Sequence, residues 1–523
     1  MGGNFAGLAA LWELFAWQQT QNGGADLEIV LIDQREYSEY TPGILRLFCE
    51  PWHFFKLAQA LPETKEDSGF RRICGTVTSL LEDDGEGRSE NANGRETKKV
   101  LTYVPTDEKI DSSEANAAGA AANTKNLGYD YLILATGATY NYPISPAPPV
   151  ASGSGPKTTT LIDRYHEWKK AHEKLRGAKR VLVLGGGAVG VELAAEILDR
   201  ESDTALTLVD AQPALVSLFP PSVGAYAEEW LCRRGADLRL GESPRSWNDR
   251  SCTLADGTVL HADVVYVCFG NRPNSEMVAT KGTPSSSPEA ARKPASGGIF
   301  SLTRRRNVSV KDTLQLVVND GDRGENTVGP WFACGDVSGP PTNDEKQAFQ
   351  AEMQGKVAAR NVIRLLESSS SCRHPQGPVL LRYPQDIATA DRIPVVFVLS
   401  LGRYDGVLGF NHLCIPGPLA AIVKWVLEHT KVSHMRGNLL GKIIWKIGDA
   451  VVLFLGRTVL RSTASSSFSV PANTIPAAGV VSGRKRTAIS TASSSLLTPH
   501  LVTQDVHQRN QHIHPLEEQL KLS

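Results

Sequence analysis

The sequence predicts an α/β protein carrying two dinucleotide-binding folds, and three observations support that expectation. Short apolar runs (Ile29 to Ile32, Tyr131 to Leu134, Val181 to Leu184, Leu206 to Val209, Val264 to Val267) alternate with helix-period segments, the pattern of parallel sheets wound with helices. The stretch KRVLVLGGGAVGVELAAEILDRESDTALTLVDAQ sets strand, glycine turn, helix, second strand and terminal acid in one register. The opening stretch GGNFAGLAALWELFAWQQTQNGGADLEIVLIDQ repeats that layout without its first strand.

In the central stretch each glycine has a physical task. Gly185 permits the tight turn, Gly187 lets the backbone approach a pyrophosphate, and Gly190 lets the helix pack close to the strand. The helix N-terminus then offers unpaired N–H groups and partial positive charge to the phosphates. Asp210, about 20 positions on, is placed to accept both ribose hydroxyls and to repel a 2'-phosphate, so NADH is favoured over NADPH.

In the opening stretch Gly2, Asn4 and Gly7 take the glycine places and Asp33 the terminal acid. With no strand ahead of the turn, the sheet is expected to lack its innermost member and to expose apolar faces and unpaired backbone, as though the sequence began inside a domain. Asn4 stands for the middle glycine. Asparagine tolerates left-handed backbone, yet its side chain crowds a pyrophosphate.

Composition bounds the rest. At 523 residues and 41% hydrophobic content the chain can bury two or three cores. Lys plus Arg (55) and Asp plus Glu (56) nearly cancel, and the one compact basic run, GRKR at 483–486, has no interleaved aromatics, so nucleic acid is not an expected partner. The eight cysteines form no CxxC or CxxxxC pair; they predict buried thiols in a reducing, intracellular setting and no metal site. The polar stretches 82–99, 111–126 and 280–298 predict surface loops, and the Ser-rich 461–523 a disordered tail.

Two further motifs end buried strands: Ala135, Thr136 and Gly137 in YDYLILATGATYNYP, and Gly335 and Asp336 in GPWFACGDVSG. With these four motifs in order, the chain resembles the two-dinucleotide flavoprotein superfamily. That resemblance implies that the first fold holds FAD and the second NADH, that the ATG stretch marks the crossover, and that Asp336 bonds the flavin's ribityl chain. CFGNRPN (268–274), with Gly270, resembles the exit from the NADH fold. The implied organisation is 1–160 and 276–367 as the two parts of the FAD-binding domain, with 161–275 inserted between them as the NADH-binding domain. A C-terminal α+β domain facing an interface or membrane follows at 376–460.

DEKQAFQAEMQGKVAARNVIRLL and FVLSLGRYDGV resemble the ferroptosis-suppressor type of apoptosis-inducing-factor homologue, the mitochondrion-associated inducer-of-death group, which is related to type II NADH dehydrogenases. In that family a flavin takes hydride from NAD(P)H and reduces a membrane quinone. The resemblance implies that Glu192 lies near nicotinamide and flavin, that Lys346 approaches the flavin's reactive edge, and that Phe349 walls the quinone pocket. A cation near the flavin stabilises the charge that arrives with hydride; Lys346 supplies it or pairs with Glu192, and Glu192 is placed to relay a proton. Read as residues alone, both are ordinary solvated helix positions. The AQxxxQ pattern of bacterial-type quinone reductases is not found, with Phe349 and Met353 in the glutamine places.

The family implies peripheral membrane or mitochondrial association, the cytoplasm being the alternative. NLLGKIIWKIGDAVVLFLGRTVL (438–460) is too charged to span a bilayer and reads as an interfacial helix anchored by Trp425 and Trp445, or as an amphipathic helix packed on its own domain. Other acceptors stay open: oxygen, a ferredoxin-like protein, or a peroxide through Cys49. The apolar setting of Cys49, GILRLFCEPWHFF, instead predicts a packed structural thiol. A slow-turnover flavin-carrying signalling protein is the reading from another class.

Overall fold

The structure, a computed structural model, describes residues 1–448 apart from 22–26, 65–68, 83–98, 107–123, 147–158, 202, 279–299, 319–326, 340–345, 370–377, 389–394, 412, 437, 439, 442 and 446. Most of the polar stretches and the whole Ser-rich tail therefore lie outside the described residues. The end of 111–126 is not loop: Lys125 and Asn126 open a strand.

The α/β expectation holds, with one core built on mixed sheets and one on a parallel sheet. The N-terminal core contains α1 (Phe5–Thr20), β1 (Ile29–Asp33), β2 (Phe70–Glu82), β3 (Lys99–Pro105), β4 (Lys125–Tyr129) and β5 (Leu132–Leu134). Strand order is β1-β2-β3-β4, with β1 and β2 parallel and the rest antiparallel. The second core begins with α2 (Leu161–Arg176), capped by Thr160, whose hydroxyl accepts from Asp163 N. It continues with β6 (Arg180–Leu184), α3 (Ala188–Arg200), β7 (Ala205–Asp210), α4 (Pro221–Arg233), β8 (Asp237–Leu240) and β9 (Val264–Val267). Its sheet, β8-β7-β6-β9, is parallel throughout, and β6 is buried along Val181 to Leu184 as a central strand must be.

The chain then returns to the first core through β10 (Gln315–Val318) and β11 (Thr327–Ala333), which pairs in parallel with β5, and through α5 (Ala348–Ser369), which packs on α1. That crossing brings backbone against backbone: a Cβ on Gly355 of α5 would sit 2.1 Å from the Ala6 carbonyl oxygen. An antiparallel meander, β12 (Val396–Leu401), β13 (Asp405–Phe410) and β14 (Leu413–Pro416), and α6 (Pro418–Met435) complete the fold.

The gap expected in the first sheet is present. Among the described residues no strand lies between β1 and β5. Met1 and Gly2 alone bridge them: Gly2 N donates to Ile32 O (2.9 Å), the Met1 amine donates to Ile133 O (2.8 Å), and Ala135 N donates to Met1 O (2.8 Å). The expected exposure of apolar faces is not found. Ile29 and Leu31 are buried against Leu8 and Leu11 of α1 with Leu61 and Phe70, because α1 covers the face whether or not the neighbouring strand is there.

Candidate functional site

The two glycine turns repeat one geometry. Gly2 and Gly185 both have positive φ (95° and 110°), which L side chains rarely adopt. A Cβ on Gly7 would lie 1.7 Å from the Gly2 carbonyl oxygen, and one on Gly190 1.8 Å from that of Gly185, so each third glycine is required by the helix's approach to the turn. Gly187 caps α3, and a Cβ there would meet nothing within 4 Å: the space in front of the helix end is open to a phosphate group. Asn4 occupies the matching cap of α1 with φ −122°, so its left-handed tolerance is not called upon. Its Oδ1 is buried without a partner, an orphaned polar atom in front of a helix end.

Each terminal acid is tied to its own turn. Asp33 accepts from Gly3 N (2.6 Å) and Arg35 N (2.9 Å); Asp210 accepts from Gly186 N and from Gln212 N (2.7 Å). Both carboxylates line one continuous cleft of about 2170 Å³. Gly2, Asn4, Ala135, Thr136, Gly137, Gly187, Gly270, Gly335 and Asp336 line the same cleft, whereas Gly7, Gly185 and Gly190 lie behind its wall as packing residues. An open helix end at Gly187 and a carboxylate at the end of each motif, all lining one cleft, fit two dinucleotides in it.

The crossover is clasped by Asn274, the closing residue of the CFGNRPN motif. Asn274 Nδ2 donates to Thr136 O (2.8 Å), Thr136 Oγ1 donates to Asn274 O (2.8 Å), and Thr139 Oγ1 donates to Asn274 Oδ1 (2.7 Å). These bonds fix the two chain segments that pass between the cores. Gly137 and Gly270 take positive φ where each segment turns.

Lys346 and Glu192 both face the cleft, but they are not partners. Lys346 donates to the carbonyls of Ser338 and, at 3.5 Å, Gly335, and so buttresses the Gly-Asp loop. Burial pushes the Asp336 carboxyl above its usual range, and the Lys346 ammonium pulls it back. Glu192 is held from the C-terminal elements: its Oε1 accepts from Ser400 N (2.8 Å), Ser400 Oγ (3.0 Å) and Lys424 Nζ (3.1 Å). Lys424 lies 232 positions away, which is why the pairing was not legible in the sequence. Phe349 lines the cleft at the start of α5.

The glutamine spacing expected to be missing is present one position along. Gln350 and Gln354 stand four apart on α5 and both are buried; Gln354 Oε1 accepts from Gly335 N (2.8 Å) and Ser338 Oγ (3.2 Å). Phe349 replaces the alanine of the pattern, not a glutamine.

Cys49 is buried, and its thiol is pushed up by burial and by the neighbouring Glu196, against the pull of Arg200. It is a packing residue, as its apolar setting predicts. Among the described residues no cluster of ligand side chains suited to a metal ion occurs.

α6 has its polarity reversed. Lys424, Glu428 and Lys431 point inward, while Leu419, Ile422, Trp425 and Val426 are exposed. Beyond it, Leu440, Ile443, Ile444 and Ile447 are exposed too, and β14 adds Leu413 and Ile415. Trp445, expected as a second anchor, turns inward: its indole donates to Glu352 Oε1 (3.2 Å) and lies under the Lys431 ammonium. Lys442, Lys446, Asp449 and 451–460 fall outside the described residues. Among the described residues no helix is long and apolar enough to cross a membrane.

A family described as pyridine nucleotide-disulphide oxidoreductase matches residues 1–287. The ferroptosis suppressor protein 1 of Taeniopygia guttata is 26% identical over 434 residues, covering 81% of this chain and 91% of that protein. An NADH oxidase of Enterococcus faecalis is 30% identical over 185 residues, 34% of this chain and 39% of its own. The solved structure of NDH2 from Plasmodium falciparum in complex with NADH aligns with a TM-score of 0.54 at 12% identity, over 89% of this chain and 98% of that one, a likeness of fold.

Proposed function

The chain belongs to the pyridine nucleotide-disulphide oxidoreductase family, as an FAD-dependent NAD(P)H oxidoreductase, and from that premise we propose that its electron acceptor is a quinone drawn from a membrane surface. Bound FAD would accept hydride from NADH and pass two electrons onward. Gly2, Asn4, Asp33, Thr136 and Asp336 would hold it, and Gly187 and Asp210 the nicotinamide dinucleotide. Asp210 disfavours a 2'-phosphate, which makes NADH the better donor.

What supports a quinone is where the cleft opens. Val426 and Ile444 belong both to its lining and to the exposed apolar ridge of α6 and 440–447. Leu427, Thr430 and Glu192 line the same cleft, so a lipophilic acceptor entering beside the ridge would find polar groups within one cavity. A ridge of this extent, with Trp425 at 56% exposure and Leu440 at 69%, is suited to the interface of a bilayer. Within the cleft Glu192 and Lys424, both held by Ser400, offer the carboxylate and ammonium that a quinone needs to orient and to gain protons.

The peroxide route through Cys49 is disfavoured by its burial and raised thiol. Steady-state NADH oxidation with a short-chain quinone, compared with oxygen alone, tests the proposal. Stimulation by quinone is expected; equal rates would point to oxygen.

A further inference from the structure

Glu428 is an inward-facing group of α6 with no part in the quinone site proposed. Its side chain is 4% exposed, its Oε1 meets His53 Nε2 at 2.9 Å and Arg46 Nη1 at 3.4 Å, and its Oε2 is buried with no partner. Against the pull of burial, His53 and Arg46 hold the Glu428 carboxyl below its usual range, while Oε2 faces no donor. His53 closes the short turn Pro51–His53 and is 12% exposed. Lys424, one helical turn before Glu428 on α6, lines the cleft with Tyr40 and Glu192 and donates to Glu192. Titratable groups thus run from solvent to the inner end of the cleft, with Arg46 beside His53 and with Glu196, from α3, facing Lys424.

We propose that His53 and Glu428 form a proton inlet that supplies the quinone-reducing end of the cleft. The inference rests on the quinone reading. The overall reaction, NADH + H⁺ + quinone → NAD⁺ + quinol, takes one proton from the medium per turnover. His53 Nε2 gives its proton to Glu428, breaking N–H and forming O–H, and is reprotonated from water. Lys424, one helical turn from Glu428, gives an N–H proton to Glu192 and regains one from the Glu428 carboxyl, and Glu192 delivers its proton to the quinone oxygen. His53 and Glu428 touch no substrate, so they act by supplying protons to the group that does. A ridge buried in lipid leaves the quinone mouth dry, and a protein-lined route is then required.

The test uses the flavin-loaded enzyme and the variants His53→Gln and Glu428→Gln with two acceptors: a short-chain quinone, which binds protons, and ferricyanide, which takes electrons only. The inlet predicts that quinone reduction falls roughly 10- to 100-fold in His53→Gln, while ferricyanide reduction and the bleaching of flavin by NADH are unchanged. A pH indicator read during a single turnover should show proton uptake slowed with quinol formation, and added imidazole should restore both. Should Glu428→Gln fail to fold, His53→Gln carries the test alone. Quinone reduction within twofold of native, or equal loss with both acceptors, overturns the inlet. A native enzyme that reduces ferricyanide but no quinone overturns the acceptor proposed above, and the inlet with it.

Discussion

Glu192 is fixed by three donors from Ser400 and Lys424, so removing its charge alters chemistry before it alters packing. Glu192→Gln is expected to lower quinone reduction at least about tenfold with flavin content unchanged, a loss of about 1.4 kcal/mol or more of transition-state stabilisation; unchanged turnover would remove it from the proton path. Asp210 is proposed to act on the other substrate. If it accepts from the NADH ribose as proposed, Asp210→Ala should raise the KM for NADH roughly tenfold and narrow the preference over NADPH, as charge-assisted hydrogen bonds of about 1.5–3 kcal/mol imply. Initial rates with both nucleotides check it. The sequence made both acids legible because position within a glycine motif fixes their place. It could not pair Glu192 with Lys424, since that contact is made by tertiary packing. The Lys346–Glu192 pairing it offered instead is replaced by the Lys346 contacts to Ser338 and Gly335.

Among the elements, the crossing of α1 and α5 is the tightest joint, and Gly355 makes it possible. Gly355→Val would drive methyl groups into the Ala6 carbonyl, so a loss of about 1–3 kcal/mol or more is expected in urea unfolding. α5 is also held to α6 by an ion pair. Burial alone would raise the Glu352 carboxyl, yet Lys431 and Lys356 outweigh it and hold it below its usual range. That stabilisation is fully present above the unfolded value of about 4.3 and is lost as pH falls through the lower folded value. Native protein should therefore lose stability between about pH 5 and about pH 3 more steeply than Glu352→Gln, as urea midpoints across that range would report. The strands and helix of 180–210 were legible to within a few residues because hydrophobic period and glycine spacing agree there. The inward charges of α6 were not, because reversed amphipathicity shows its sense only once the cleft is known to lie on the polar side.

For the whole molecule, one cleft unites two turns that are 183 positions apart in sequence, Gly2 and Gly185, and it opens on an apolar ridge. Two nucleotide motifs in order made the pair of folds legible; the gap beside β1 was legible too, though not the cover that α1 gives it. If the ridge sits on lipid, the protein should float with quinone-containing vesicles, and Ile422→Asp with Trp425→Ala should leave it in the soluble fraction with flavin still bound. Direct electron passage between occupants of the shared cleft is the central claim, and the visible absorption of bound flavin reads it. Under anaerobic conditions the account predicts bleaching on addition of NADH and recovery on addition of quinone. A protein that binds flavin but keeps its colour with NADH, or stays bleached with quinone, would contradict it.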